Sequence, residues 1–195
     1  MSKKVIILID GGHLRVKAKI AGKTYNPDFI QAFARKCAIQ DEEIFRVLYY
    51  DCAPYSGTVK LPVSGTPYTF TGSDKWLEEL ARKDLFAVRR GVLKFRGYKP
   101  KHTPVNPSGP LADADFVPDF EQKGVDMRIG LDIAAYSSLH AADRIILVTN
   151  DTDCVPAMKY GRKSGLQVVI AELPKGRVAA ELAMHADFKR RVLWP

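Results

Sequence analysis

The stretch Val5, Ile6, Ile7, Leu8, Ile9, Asp10, Gly11, Gly12 decides the fold. An unbroken aliphatic run that stops on an acid and two glycines is too apolar for a strand with one face in water. It suits a strand buried on both faces, as parallel sheets covered by helices demand. Similar runs return at 44–50, 86–98, 144–149 and 166–171, with segments of helical spacing between them. Residues 26–38 open on Asn26 and Pro27 and carry Phe29, Ile30, Phe33, Ala34 and Cys37 on one face. Residues 73–85 begin at a capping Ser73 and repeat Trp76, Leu77, Leu80, Ala81 and Leu85. Further helices are expected over 125–141, over 153–163 with Gly165 as a left-handed cap, and over 177–186. Strands and helices in alternation predict an α/β protein, a three-layer α/β/α sandwich with a mainly parallel central sheet. Residues 1–195 read as one domain, interrupted at 99–122 by a long loop with little periodicity. That stretch holds Pro100, Pro104, Pro107, Pro110 and Pro118, and is either a surface insertion or a flap that touches substrate.

Composition removes several classes of function. With 46% hydrophobic residues in 195, the chain can bury its own core without disulfides or structural zinc. No run approaches the roughly 20 apolar residues that cross a bilayer. Lys3 and Lys4 are followed by only five apolar residues and then an acid, which is no signal peptide, so a cytoplasmic protein is expected. Cys37, Cys52 and Cys154 are scattered and read as reduced, buried thiols. His13, His102, His140 and His185 lack the spacing that sets two imidazoles on one helix face, which argues against a histidine zinc site.

The acids fall where an open parallel sheet binds ligands, just beyond the carboxyl ends of its strands. Asp10 follows the first strand. Asn150, Asp151, Thr152 and Asp153 follow the strand that ends at Thr149, and Asp126 opens the helix after Lys123 and Gly124. Four carboxylates drawn together raise one another's pKa, and a divalent cation removes the conflict. Oxygen donors without Cys or His favour Mg²⁺ or Mn²⁺. The chemistry that follows is metal-assisted phosphodiester hydrolysis. Helix capping is the competing reading for Asp126, Asp151 and Asp153 taken singly. Asp132 lies about 120° round the helix from Asp126 and either reaches the edge of the site or is solvated. Thr149, Thr152 and His13 could each serve a water or a phosphate. Other motifs fail: Gly22, Lys23, Thr24 has Lys17 where a P-loop needs its first glycine, and neither G-x-G-x-x-G nor G-x-S-x-G is present.

These residues resemble a known family. Residues 7–11, then Lys123, Gly124, Val125, Asp126 with Leu131 and Asp132, then Leu147 to Asp153, together with the strand end Tyr49, Tyr50, Asp51, are similar to the NYN domain and its LabA-like members, in the PIN-like nuclease superfamily. The resemblance runs from residue 4 to about 172 and implies a PIN-like, Rossmann-like α/β/α fold. It also implies divalent-metal-dependent cleavage of RNA, with Asp10, Asp126, Asp151 and Asp153 as metal-binding and catalytic acids. Two positions depart from the family pattern: His13 stands where Asn is frequent and Asn150 where Gly is frequent.

The charge of +8 is concentrated. Arg89, Arg90, Lys94, Arg96, Lys99 and Lys101 carry no acid among them and are interleaved with Phe95 and Tyr98. Alternation puts Arg90, Lys94 and Arg96 on one face of a strand. Cations beside rings suit single-stranded nucleic acid, and Lys123 and Arg128 extend the set toward Asp126. The alternative is an edge strand protected by charge. Lys189, Arg190 and Arg191 read as a solvated tail. The expected function is a Mg²⁺- or Mn²⁺-dependent endoribonuclease acting on single-stranded RNA, with no membrane partner and a homo-oligomer left open. Its rivals are a catalytically silent RNA-binding module and a metal-dependent small-molecule phosphohydrolase.

Overall fold

The computed structural model describes residues 2–105 and 109–195. In chain order the elements are β1 (Lys3–Asp10), α1 (Gly11–Ile20), α2 (Pro27–Cys37), β2 (Glu42–Cys52), β3 (Ser56–Lys60), β4 (Pro67–Thr71), α3 (Lys75–Ala81) and β5 (Phe86–Pro100). They continue with β6 (Phe116–Lys123), α4 (Val125–Ser138), β7 (Arg144–Val148), α5 (Val155–Lys163), β8 (Gln167–Glu172), α6 (Ala180–Met184) and β9 (Phe188–Arg191). Seven strands form one sheet in the order β6-β5-β2-β1-β7-β8-β9, parallel except where β6 runs against β5. Among the described residues no helix is long and apolar enough to cross a membrane.

Residues 5–9 sit in the central strand and are wholly buried. Their alternation sorts the core into two layers. Val5, Ile7 and Ile9 face Leu14 of α1, Ile30 and Phe33 of α2, and Leu77 and Leu80 of α3. Ile6 and Leu8 face Val125, Ile129 and Ile133 of α4, Met158 of α5 and Leu182 of α6. The result is the expected three-layer α/β/α sandwich.

Several elements differ from the sequence expectation. The stretch 99–122 is only partly a loop: β6 pairs antiparallel with β5 from Pro100↔Phe116 to Val92↔Lys123. Pro118 is inside that strand, paired with Tyr98. Pro107 lies with residues 106–108 outside the described residues. The β3-β4 hairpin, α1 and β9 have no counterpart in the sequence reading. The hairpin covers an aromatic cluster of Tyr55, Phe70, Phe95 and Phe120, with ring centroids 5.5 to 6.1 Å apart.

Of the expected solvated tail, Lys189 and Arg191 are exposed, but Arg190 is part of a structural clamp. Arg190 of β9 donates to both carboxylate oxygens of Glu42 at 2.7 and 2.8 Å and to the carbonyl of Cys37 at 2.6 Å. Arg144 closes on the same carboxylate, which is fully buried. This clamp ties β2, β7 and β9 at the amino-terminal edge of the sheet, opposite the strand ends that carry the acids.

Candidate metal and nucleic-acid site

Asp10 is both the last residue of β1 and the N-cap of α1, its Oδ1 accepting from the His13 backbone N–H at 3.0 Å. Gly11 is needed at this turn because a Cβ there would stand 2.7 Å from Asp51 Oδ2 and collide with the Tyr49 ring. One strand away, the buried Thr149 donates its hydroxyl to Asp10 Oδ2 at 3.0 Å and accepts from the Asp151 N–H at 3.1 Å. A single hydroxyl thus ties the ends of β1 and β7 together. Asp151 caps the short 3₁₀ turn that follows, accepting from the Asp153 N–H at 2.9 Å. Asp126 sits in the first turn of α4, which starts from Gly124 at φ 77 and has no side-chain cap.

The charges of these acids act on one another. Burial raises the Asp10 carboxyl, and although the His13 N–H and the Thr149 hydroxyl lower it, the nearby Asp51 and Asp151 charges add to the rise. Burial also raises Asp126, helped by Asp151, Asp10 and Asp153. The same four acids, after burial, push the neighbouring Cys154 thiol up to about 12. An open crevice of about 490 Å³ is lined by Asp10, Gly12, His13, Asn150, Asp151 and Thr152. Burial, followed by the Lys17 charge, lowers His13 to about 4, so its ring is neutral at pH 7 and adds no cation.

Among the described residues no group of three or more Asp, Glu, His or Cys side chains stands together in a way that could hold a metal ion. The donor set still fits the divalent cation that the acids imply. Mg²⁺ keeps most of its waters and takes one or two protein carboxylates together with substrate phosphates. Mutually repelling, partly desolvated carboxylates with only oxygen donors around them supply that arrangement.

Other expected site residues have other roles. Asp132 is half-buried and engaged: it accepts from the Tyr50 hydroxyl at 2.9 Å and pairs with Arg89 at 2.9 Å. Asn150 accepts from the Ala179 N–H at 2.8 Å and so anchors the segment before α6. Thr152 remains on the crevice wall.

The basic run is acid-free in sequence but not in space. Arg90 meets Asp74 at 2.5 Å, Arg96 meets Glu121 at 3.5 Å and Lys99 meets Asp119 at 2.7 Å. Lys123 pairs with Glu121, and Arg128 donates to the Gly124 carbonyl of its own helix at 2.7 Å. Among the described residues only Lys94 and Lys101 of the expected set have neither an ion pair nor a side-chain hydrogen bond. Tyr98 is no stacking platform, because its ring packs on Phe95 and its hydroxyl is buried. Asp119 and Glu121 come from β6, which the sequence reading took for loop, and Asp74 from the residue before α3. The edge of the sheet is β6, and β5 lies between it and β2.

A buried polar network beside Gly11 was not anticipated. Asp51, at the end of β2, is fully buried and accepts from Arg15 at 2.5 Å, the Tyr49 hydroxyl at 3.0 Å and its neighbour's N–H at 2.8 Å. Tyr25 extends it to Tyr49 at 2.7 Å. The strand-end rule that selects Asp10 selects Asp51 equally well. Its bond to Arg15 gives it a cation of its own, unlike Asp10 and Asp151 on the crevice wall, while Asp126 and Asp153 do not line the crevice.

The family model for the NYN domain matches residues 4–189. A crystal structure of a protein of unknown function from Vibrio parahaemolyticus superposes with a TM-score of 0.55 at 17% identity, covering 97% of this chain and 93% of that one. At that identity the likeness concerns the fold. None of the curated proteins is significantly similar to the chain.

Proposed function

Because the chain belongs to the NYN domain family, within the PIN-like nuclease superfamily, we propose that it is a divalent-metal-dependent endonuclease acting on single-stranded RNA. The observation that carries this reading is the set of four acids at adjacent strand and helix ends, with Asp10 and Asp126 raised by burial and by their neighbours' charge. Asp10, Asp126, Asp151 and Asp153 would hold Mg²⁺ or Mn²⁺, which when bound supplies Lewis-acid stabilisation of phosphoryl oxygens and a more acidic water.

The protein's own groups set the geometry. Thr149 fixes the rotamer of Asp10 through its hydroxyl, and the α1 N-terminus holds the other oxygen of the same carboxylate. Asp151 is oriented by the turn it caps. Neutral His13 on the crevice wall can donate to a phosphate oxygen without competing for the acids. Asn150, on the crevice wall, accepts from the Ala179 N–H and so ties the segment before α6 to the crevice.

The test is a purified protein incubated with Mn²⁺ and an end-labelled single-stranded RNA oligomer, beside parallel mixtures containing EDTA, single-stranded DNA or nucleoside monophosphates. The expected result is internal cleavage of RNA that EDTA abolishes, with monophosphates left intact. Release of phosphate from monophosphates would favour a phosphohydrolase. RNA binding without turnover at any divalent ion would favour a silent binding module. Either outcome overturns the proposal.

A further inference from the structure

Beyond Gln122 from the acids lies a second concavity of about 610 Å³, a size typical of small-ligand sites. Its wall is aromatic and apolar, built from Trp76, Tyr25, Pro54 and Leu93. Trp76 is half-buried and held by edge contacts with Tyr25 at 6.4 Å and Tyr49 at 6.0 Å. Three cations, Arg15, Lys19 and Lys23, stand at the rim, and no acid lines it. Arg15 is oriented by its pair with buried Asp51. Lys19 and Lys23 are exposed at the end of α1 and just beyond it, and among the described residues no acid pairs with them.

Gln122 lines this cavity and the acid crevice alike, so the two are contiguous. An aromatic and apolar wall beneath the unpaired Lys19 and Lys23 is complementary to one kind of occupant above others, a base attached to a phosphate. Rings stack bases, and lysines track the backbone. Resting on the reading of the crevice as a phosphodiester-cleaving site, we propose that this cavity binds one nucleotide of the same single strand, its base on the Trp76 and Tyr25 wall and its phosphate at Lys19 and Lys23. Occupation of the cavity then selects which phosphodiester reaches the acids. The basic face of α1, and not the β5 run, becomes the principal backbone contact.

The experiment separates binding from cleavage by working first in EDTA. Trp194→Phe leaves Trp76 as the sole tryptophan of the two in the chain. Titration of that variant with a single-stranded RNA hexamer is expected to quench Trp76 emission to saturation. Adding Lys19→Ala and Lys23→Ala, both exposed and harmless to folding, is expected to weaken binding about tenfold and to reduce the salt slope of log K by roughly 1.4. With Mn²⁺ present, the lysine pair should raise KM and leave kcat unchanged. Quenching that persists in a protein unable to cleave with any divalent ion would sustain this cavity while overturning the nuclease reading. Unchanged Trp76 emission, or unaltered affinity in the lysine variant, would overturn the cavity even where cleavage remains intact.

Discussion

Asp10→Asn is expected to reduce kcat for RNA cleavage at least about a hundredfold, the scale on which single pre-organised electrostatic groups act in enzymes, while the protein stays folded. Asn is as good an N-cap as Asp, so the bond from the His13 N–H to Oδ1 survives. The Thr149 hydroxyl can rotate to accept from the new amide. Burial and the charges of Asp51 and Asp151 make the Asp10 carboxylate costly in the metal-free protein. Its neutral replacement therefore melts at the same temperature or higher when no divalent ion is present. Activity and stability part company, as they do where a group is placed for function at the expense of folding. Asp132→Asn serves as the contrasting case. Its carboxylate is occupied by Tyr50 and Arg89, so kcat should hold while stability falls. Melting curves and kcat for the two variants check this, and equal losses of kcat in both would contradict it.

Glu42→Gln is expected to destabilise the protein by about 3 to 5 kcal/mol, the usual cost of removing one partner from a buried ion pair. The neutral amide would face Arg190 and Arg144 together, leaving two largely buried guanidinium groups without a counter-charge. Arg144 keeps its bonds to Gln167 at 3.1 and 2.6 Å and its position over the Phe188 ring, which softens the loss without cancelling it. Burial works to raise the Glu42 carboxyl, but Arg190, the Ile39 N–H and Arg144 outweigh it and hold the group at about 2, below its ordinary 4.5. A depressed carboxyl contributes its stability in full above the unfolded value and loses it as the proton returns. The gap between wild type and variant in urea unfolding should thus be full at pH 7, begin to close below pH 4.5 and be largely gone near pH 2. A gap that stays constant over this range would show that the clamp acts by packing alone.

The layered α/β plan was legible because residues 5–9 and 145–148 have no polar interruption, and a sheet covered on both faces accommodates two such runs. The strand-end acids followed from the same logic. Helix α1 was not legible. It opens on Gly11 and Gly12, and Arg15, Lys17 and Lys19 alternate with its few apolar residues, which leaves a weak helical stripe. Strand β6 was hidden because Pro118 and its mixture of Asp119, Glu121 and Lys123 break the apolar alternation. Missing β6 carried a consequence for function. Its acids neutralise Arg96 and Lys99 across the hairpin and Lys123 within the strand, which leaves Lys94 and Lys101, among the described residues, as the unpaired cations of the run and gives the unpaired Lys19 and Lys23 more weight. Arg190 illustrates the general difficulty: nothing in a three-residue basic run tells which member will meet a buried glutamate 148 positions earlier.

The central claim is that the raised carboxylates Asp10 and Asp126, with Asp151 and Asp153 beside them, take up a divalent cation. Calorimetric titration of Mn²⁺ into the wild-type protein and into the Asp10→Asn, Asp126→Asn double variant, with no nucleic acid present, tests it most directly. The account predicts a saturable site in the wild type, with proton release as the raised carboxyls ionise, and the loss of that site in the double variant. Equal Mn²⁺ binding by the two proteins would contradict it.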